Sequence, residues 1–401
     1  MPQPPAWRPP GPHLTRRSFL GTLLAGSGAA LLAGCQQPAA QPAAPAAAAA
    51  PAGPAGWQQQ WDELVAKAKQ EGELVISGPP SGTTRTDLPA AFRKQFGVEM
   101  TYLAVNTSDL ISKLLAERAA GQYTVDAMLA GAQSLYTVGY DNQMFEPLPP
   151  VLIHPDFADP TKWIHGGVWY MDPDQQYIMR VTNFRSLQVW VNTQFVDASQ
   201  FHTWQDLLKP EYRGKLSVWE PTVPGTGWNT ASYLLTVFGE DYVRGLYRDQ
   251  QPGVTRDIRQ ITDWMARGNY PISLGIASAD AEKLKSDGFA LTHVLNDVAG
   301  VPPMVTAAYG LTVLLKNAPH PNAARLFLNW IGLPEGQEVW NRTQVSVGVR
   351  TDVPPTWAPD YAIPKPGVDY FDGYEWEYTV RGRDPDKVER MKQLTGRDTP
   401  A

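Results

Sequence analysis

Glu73-Leu74-Val75-Ile76-Ser77-Gly78-Pro79-Pro80-Ser81-Gly82-Thr83-Thr84 decides how the chain is to be read. Residues 73 to 78 form a short apolar strand, the next six a polar Gly/Pro loop, and about Asp87 to Phe96 a helix. A strand, loop and helix in that order put hydroxyls and free backbone N–H groups at a helix N-terminus, so Ser81 and Thr83 are candidate ligand contacts. The unit recurs twice. Val98 to Val105 reads as a strand, Asn106-Thr107-Ser108 as a cap and Asp109 to Ala120 as a helix; Val125 to Ala130 is a third strand, followed by Gly131-Ala132-Gln133 and a short helix. Strands alternating with helices argue for a parallel α/β sheet, whose ligands sit beyond the carboxyl ends of the strands. Thr107 and Gln133 therefore join the candidates.

Downstream of a Pro- and Trp-rich irregular stretch, 146 to 173, a second set begins. Leu187 to Val191 reads as a strand, Thr203 to Leu208 as a capped helix, and Lys215-Leu216-Ser217-Val218-Trp219 as a strand. The loop Pro221-Thr222-Val223-Pro224-Gly225-Thr226-Gly227-Trp228 leads into a helix from about Asn229 to Phe238. It is the strongest single ligand candidate, because its glycines let backbone come close and the following helix end favours an anion. Thr226, Gly227 and Trp228 are its contacts. A helix carrying Ile258, Ile261, Trp264 and Met265 is core. Pro271 to Ile276 is a strand, with Ser278 and Asp280 in the loop and cap that follow. Tyr309 to Leu315 returns the chain between the two sets, with Tyr309 placed to stack on a ligand. Arg180, and Arg185 beside it, lie near the first crossover, where a guanidinium can clamp a carboxylate or phosphate. Two lobes joined by strands close over a ligand by hinge motion. The expected layout is lobe 1 over 57–185 plus about 305–335, lobe 2 over 186–304, and C-terminal helices with an extension packing on the body over 336–401.

Upstream, residues 36 to 56 are almost wholly Ala, Pro, Gln and Gly, a semi-extended tether that cannot bury a core. Before it stand Thr15-Arg16-Arg17-Ser18-Phe19-Leu20-Gly21, a small-residue apolar run, and Leu32-Ala33-Gly34-Cys35. The paired arginines resemble a twin-arginine export signal and the last four residues a bacterial lipobox, cut before Cys35 and acylated on its thiol. The expected layout is thus a signal peptide over 1–34 and a tether over 35–56. Cys35 is the sole cysteine of the chain, which excludes disulfides, Cys metal sites and Cys nucleophiles. The leader carries Arg8, Arg16 and Arg17 and no carboxylate, so the mature chain holds 31 basic and 40 acidic side chains, net −9. With no Lys/Arg block, nucleic acid is not an expected partner. No Gly-x-Ser-x-Gly elbow, His-Glu-x-x-His motif or Walker loop is present, and the six histidines are scattered, which argues against an exported hydrolase, the competing class.

Several short motifs carry a family resemblance. Ala116-Glu117-Arg118-Ala119-Ala120-Gly121 precedes Val125-Asp126; Val191-Asn192-Thr193 and Trp204-Gln205-Asp206-Leu207-Leu208-Lys209-Pro210 precede Gly214-Lys215. Phe238-Gly239-Glu240-Asp241-Tyr242 follows, then His320-Pro321-Asn322-Ala323-Ala324-Arg325-Leu326-Phe327-Leu328-Asn329-Trp330 with Pro334-Glu335-Gly336-Gln337. From Trp57 to Asp352 this order resembles the extracellular solute-binding proteins of ABC importers, nearest the ferric-ion-binding branch. The resemblance implies an α/β, type II periplasmic-binding-protein fold: two Rossmann-like lobes joined by crossover strands around a central ligand cleft. It also implies a small-molecule solute and an ABC permease as partners, a periplasmic or outer-face location, and no catalysis. A monomer without cofactor or resident metal is expected. Iron binders of the branch carry adjacent tyrosines where this chain has Ser278-Ala279-Asp280-Ala281. The departure leaves phosphonates, sugar phosphates, polyamines or small carboxylates as the implied solutes, with ferric iron or an iron complex as the alternative.

Overall fold

The structure is a computed structural model that describes residues 56–80, 83–105, 107–186, 189–223, 225–375, 379 and 385–397. The signal peptide, most of the tether, Cys35, Arg16, Arg17 and Ser81 lie outside the described residues.

Helix α1 (Trp57–Glu71) stops at Gly72, whose φ of 73° suits a residue without a side chain. Strand β1 (Glu73–Gly78) follows at once, and its buried pattern marks a strand covered on both faces. It pairs in parallel with β2 (Glu99–Ala104) on one side and β3 (Ala127–Ala130) on the other, through helices α2 (Thr84–Phe96) and α3 (Thr107–Ala119). Helix α4 (Ala132–Ser134) runs on as a π-helical turn over Leu135–Tyr140. Short strands β4 (Phe145–Glu146) and β5 (Met179–Arg180) complete this sheet by pairing with a late strand described below. Between them, 155–157 and 160–162 form 3-10 turns anchored by Arg350, which reaches Asp156 at 2.6 Å and lies over the Trp163 ring; this places the irregular Pro/Trp stretch.

The second sheet takes β7 (Val189–Asn192), β8 (Leu216–Trp219), β9 (Gly253–Thr255), β10 (Ile272–Ser273) and β11 (Leu291–Val294), in the order β11-β7-β10-β8-β9. Its helices are α5 (Thr226–Phe238), α6 (Glu240–Arg244), α7 (Ile258–Arg267) and α8 (Ser278–Ser286).

Joining them is a three-stranded sheet built from β6 (Phe184–Ser186), β12 (Met304–Thr306) and β14 (Phe371–Asp372). Strand β6 leaves the first sheet and β12 returns antiparallel to it. The return was expected at Tyr309–Leu315, but β13 (Leu311–Leu315) belongs wholly to the first sheet, antiparallel to β3. All five β13 residues are buried, so the run reads as a central strand, whereas the shorter Met304–Thr306 makes the crossing.

Helices α9 (Pro321–Gly332) and α10 (Pro334–Thr343) cover the first sheet. Two of the recognised motifs meet here: Asp126 at β3 accepts the His320 backbone N–H at 2.7 Å and faces its Nδ1 at 2.9 Å. Glu71 of α1 receives the N–H groups of Asn322 and Ala323, so one helix end caps another. The chain after 336 is not one piece. Trp340 of α10 belongs to the core of the first sheet, while Met391 and Leu394 of α11 (Pro385–Thr395) belong to that of the second.

Candidate functional site

The two sheets and the crossover face a cleft of two connected compartments. The first, about 980 Å³ with open solvent included, is walled by β6 and β12, by the end of β10 and start of α8 (Leu274–Ser278), by Ala307–Gly310 and by Trp340 and Gln344. The second, about 650 Å³ on the same basis, lies between Thr107 and Gly131–Ser134 on one side and Glu220, Val223 and Gly225–Gly227 on the other. Trp219, Thr226, Asn229, Tyr309 and Tyr374 line both.

Among the described residues no charged side chain lines the first compartment. Its polar surface consists of hydroxyls, carboxamides and phenols. In the second, Glu220 already accepts from Thr222 and pairs with Arg397, and exposed Arg256 stands 3.9 Å from Asp109. Helices α5 and α8 both start at the cleft, and their N-caps, Gly225 and Ala277, offer no side-chain oxygen. First-turn N–H groups left without a cap are positioned for ligand oxygens. Two buried carboxamide oxygens of the cleft lining have no hydrogen-bond partner among the described residues: Gln133 Oε1 (residue 1% exposed) and Asn229 Oδ1 (3%). A buried acceptor left unpaired carries a desolvation cost of about 1–3 kcal/mol. A ligand with O–H or N–H groups would relieve it.

Of the residues expected at the site, Thr107, Gln133, Thr226, Gly227, Ser278 and Tyr309 line the cleft. Gly227 is needed by the chain itself, since a Cβ there would fall 2.1 Å from the Glu220 carbonyl oxygen; Gly225, at φ 135°, supplies the open backbone. Burial raises the Tyr309 phenol above its ordinary range, and the Asp280 carboxylate adds to the effect. The phenol, already protonated at neutral pH at its ordinary value, therefore loses its proton still less readily here.

The remaining candidates sit elsewhere. Thr83 is exposed at the start of α2 and donates to Asp87 at 3.0 Å, while Tyr102 closes the end of β1 by donating to the Pro79 carbonyl. Trp228 is 2% exposed, packed in the core beside the second sheet, because its indole faces inward from the first turn of α5. Arg180 is fully buried: it donates to the Thr182 carbonyl at 2.9 Å and Asn183 Oδ1 at 2.7 Å, pairs with Asp372, and lies 4.1 Å over the Trp169 ring. It lines neither compartment. Arg185 likewise holds Asn296 and Asp297. Asp280 lies outside the lining and is approached by the Thr262 hydroxyl at 3.4 Å.

Sequence reasoning missed Trp219, Asn229, Thr306 and Tyr374. Trp219 ends a strand that was read correctly, and its indole N–H reaches across to the Gly275 carbonyl at 2.6 Å. Its place at a carboxyl strand end was the usable signal. Tyr374 had none, because its place depends on a chain segment returning from far downstream.

A search of curated protein sequences gives no match. Among solved structures, the substrate-binding protein of an ABC transporter from Agrobacterium tumefaciens is 14% identical with a TM-score of 0.62, covering 82% of this chain and 94% of that one. The periplasmic binding protein AfuA from Actinobacillus pleuropneumoniae, solved with exogenous fructose-6-phosphate bound, is 20% identical with a TM-score of 0.59, covering 80% and 97%. The ferric binding protein from Campylobacter jejuni is 14% identical with a TM-score of 0.58, covering 80% and 98%. These likenesses give the fold, the two-lobed periplasmic-binding arrangement. The model of the bacterial extracellular solute-binding proteins matches residues 87–365, more than half of the sequence, and the chain belongs to that family.

Proposed function

We propose that this protein captures a small hydroxylated, polar or anionic solute between its two lobes, using Thr107, Gln133, Thr226, Gly227, Ser278 and Tyr309. Members of the family bind small-molecule solutes outside the cytoplasm and deliver them to ABC permeases without chemical change. The observation that carries the reading is a cleft in which uncapped helix N-termini offer N–H donors while Gln133 and Asn229 offer unpartnered acceptors. An anion or hydroxyl oxygen suits the first set, and hydroxyl hydrogens suit the second. That a structural neighbour is named with fructose-6-phosphate bound supports the same class. In this reading the two sheets are the cores of lobe 1 and lobe 2, and β6 and β12 are the hinge between them. The protein leaves by the twin-arginine route, is held as a monomer on the outer face of the membrane by lipid on Cys35, and docks there on its permease.

The test is a thermal-shift and calorimetric screen of the mature chain against sugar phosphates, phosphonates, organic acids, polyamines and ferric citrate. A solute at about 100 times its dissociation constant should stabilise the fold by about 2.7 kcal/mol. No response to any of these, with turnover of an ester, glycoside or phosphoester, would sink the reading.

A second reading, ferric iron, is favoured by two phenols in one cleft, Tyr309 and Tyr374. Burial raises both, which opposes the phenolate form that a hard ferric ion requires. A visible tyrosinate-to-iron charge-transfer band on ferric loading would establish it.

A further inference from the structure

The span matched by the family ends at residue 365, yet the chain returns to the cleft after it. Phe371 and Asp372 add a third strand to the crossover, with Met304 opposite Phe371 and Val305 opposite Asp372. Tyr374 follows two residues later and lines both compartments.

Its position is fixed from several directions. The Tyr374 backbone N–H donates to Asp372 Oδ1 at 3.0 Å, and its carbonyl accepts the Tyr136 hydroxyl at 2.9 Å. Asp372 is itself held by the buried guanidinium of Arg180. Tyr374 is 6% exposed as a residue, and a Cβ placed on Gly131 would lie 3.8 Å from its hydroxyl. The phenol thus reaches from the crossover to the loop that starts α4, where Gln133 stands with its unpartnered oxygen. A ring held in place before the solute arrives loses little conformational freedom on binding.

We infer that Tyr374, beyond the family-matched span, is part of the solute site and is its specificity-determining contact for a hydroxylated solute. The inference rests on the solute-binding reading above. Because this wall comes from outside the shared span, selectivity here differs from that of members whose chains place another residue at this point. Tyr136, Arg180 and Asp372 act on the solute only through Tyr374.

The experiment compares the full-length protein with Tyr374→Phe, Tyr374→Ala and Tyr370→Phe, the last as a tail tyrosine that does not line the cleft. Fructose 6-phosphate and inorganic phosphate are the probes, followed by calorimetry, with ligand-free melting curves recorded alongside. Support is a dissociation constant for fructose 6-phosphate raised about tenfold by Tyr374→Phe and more by Tyr374→Ala, with Tyr370→Phe matching the parent. If Tyr374→Ala fails to fold, Tyr374→Phe decides alone. Equal affinity in Tyr374→Phe, Tyr370→Phe and the parent overturns the inference and leaves the solute-binding reading standing. Failure of the parent to bind either probe overturns the hydroxylated-solute reading and the inference with it.

Discussion

Arg180 and Asp372, 192 residues apart in sequence, form a buried ion pair that ties the last strand of the crossover sheet to β5 of the first sheet. The guanidinium is wholly inaccessible and the carboxylate nearly so, and three separate acceptors share its N–H groups. Removing one member of such a pair leaves an uncompensated buried charge, which costs about 3–5 kcal/mol. Asp372→Asn is expected to lower the urea midpoint accordingly, and the double variant Arg180→Met/Asp372→Leu to recover most of the loss. Equal destabilisation by the single and double variants would show that the charge pair is not the cause.

Asn229 offers the reverse case. Its carboxamide oxygen is buried in the cleft without a partner, so Asn229→Leu removes a desolvated acceptor. Ligand-free stability should hold or rise by about 1 kcal/mol, while solute affinity falls about tenfold. A variant that loses stability yet keeps affinity would place Asn229 in the scaffold.

For Gly275 the test is steric. A Cβ on Gly275 would meet Trp219 Cδ1 at 2.7 Å and Ile261 Cδ1 at 2.8 Å. Gly275→Ala should cost about 1–3 kcal/mol by overpacking and weaken solute binding by displacing the Trp219 indole. Denaturation and titration of the same preparation measure both.

Acid stability should depend on Asp352. Hydrogen bonds from Arg350, with Lys162 adding to them, hold its carboxyl down to about 2. A depressed folded value contributes stability that is full above the unfolded value of about 3.9 and is lost as pH falls from there through about 2. With a partly exposed side chain, solvent screening limits the contribution to about 1 kcal/mol. Asp352→Asn should therefore be less stable at pH 7 and show a shallower decline between pH 5 and pH 2.

Export can be tested separately from binding. Arg16→Lys/Arg17→Lys is expected to leave the precursor in the cytoplasm, and Cys35→Ser to release a soluble exported form. Fractionation into cytoplasmic, membrane and soluble exported pools after a pulse label distinguishes them.

The strand–loop–helix repeats were legible because each is local: an apolar run, a polar loop and a helical period follow one another directly in the chain. The edge loops at Thr107, Gln133, Thr226 and Ser278 followed from that topology. Short crossings were not legible. Met304–Thr306 is too brief to stand out beside the fully apolar Leu311–Leu315, which is why the return was expected there. Arg180 was misjudged because one sequence does not show that Asp372 will come to meet it. Thr83 failed for a nearer reason: a hydroxyl at a helix start bonds to its own first-turn carboxylate as readily as to a ligand.

The three-stranded crossover sheet also bears on the order of folding. Its strands come from 184–186, 304–306 and 371–372, whereas β1, β2 and β3 close over far shorter stretches of chain. Closing long loops is entropically costly and slow, so the β1–β2–β3 unit forms first, and β13 and the crossover join after it. A refolding chain should accordingly regain its far-ultraviolet signal well before it can hold a solute.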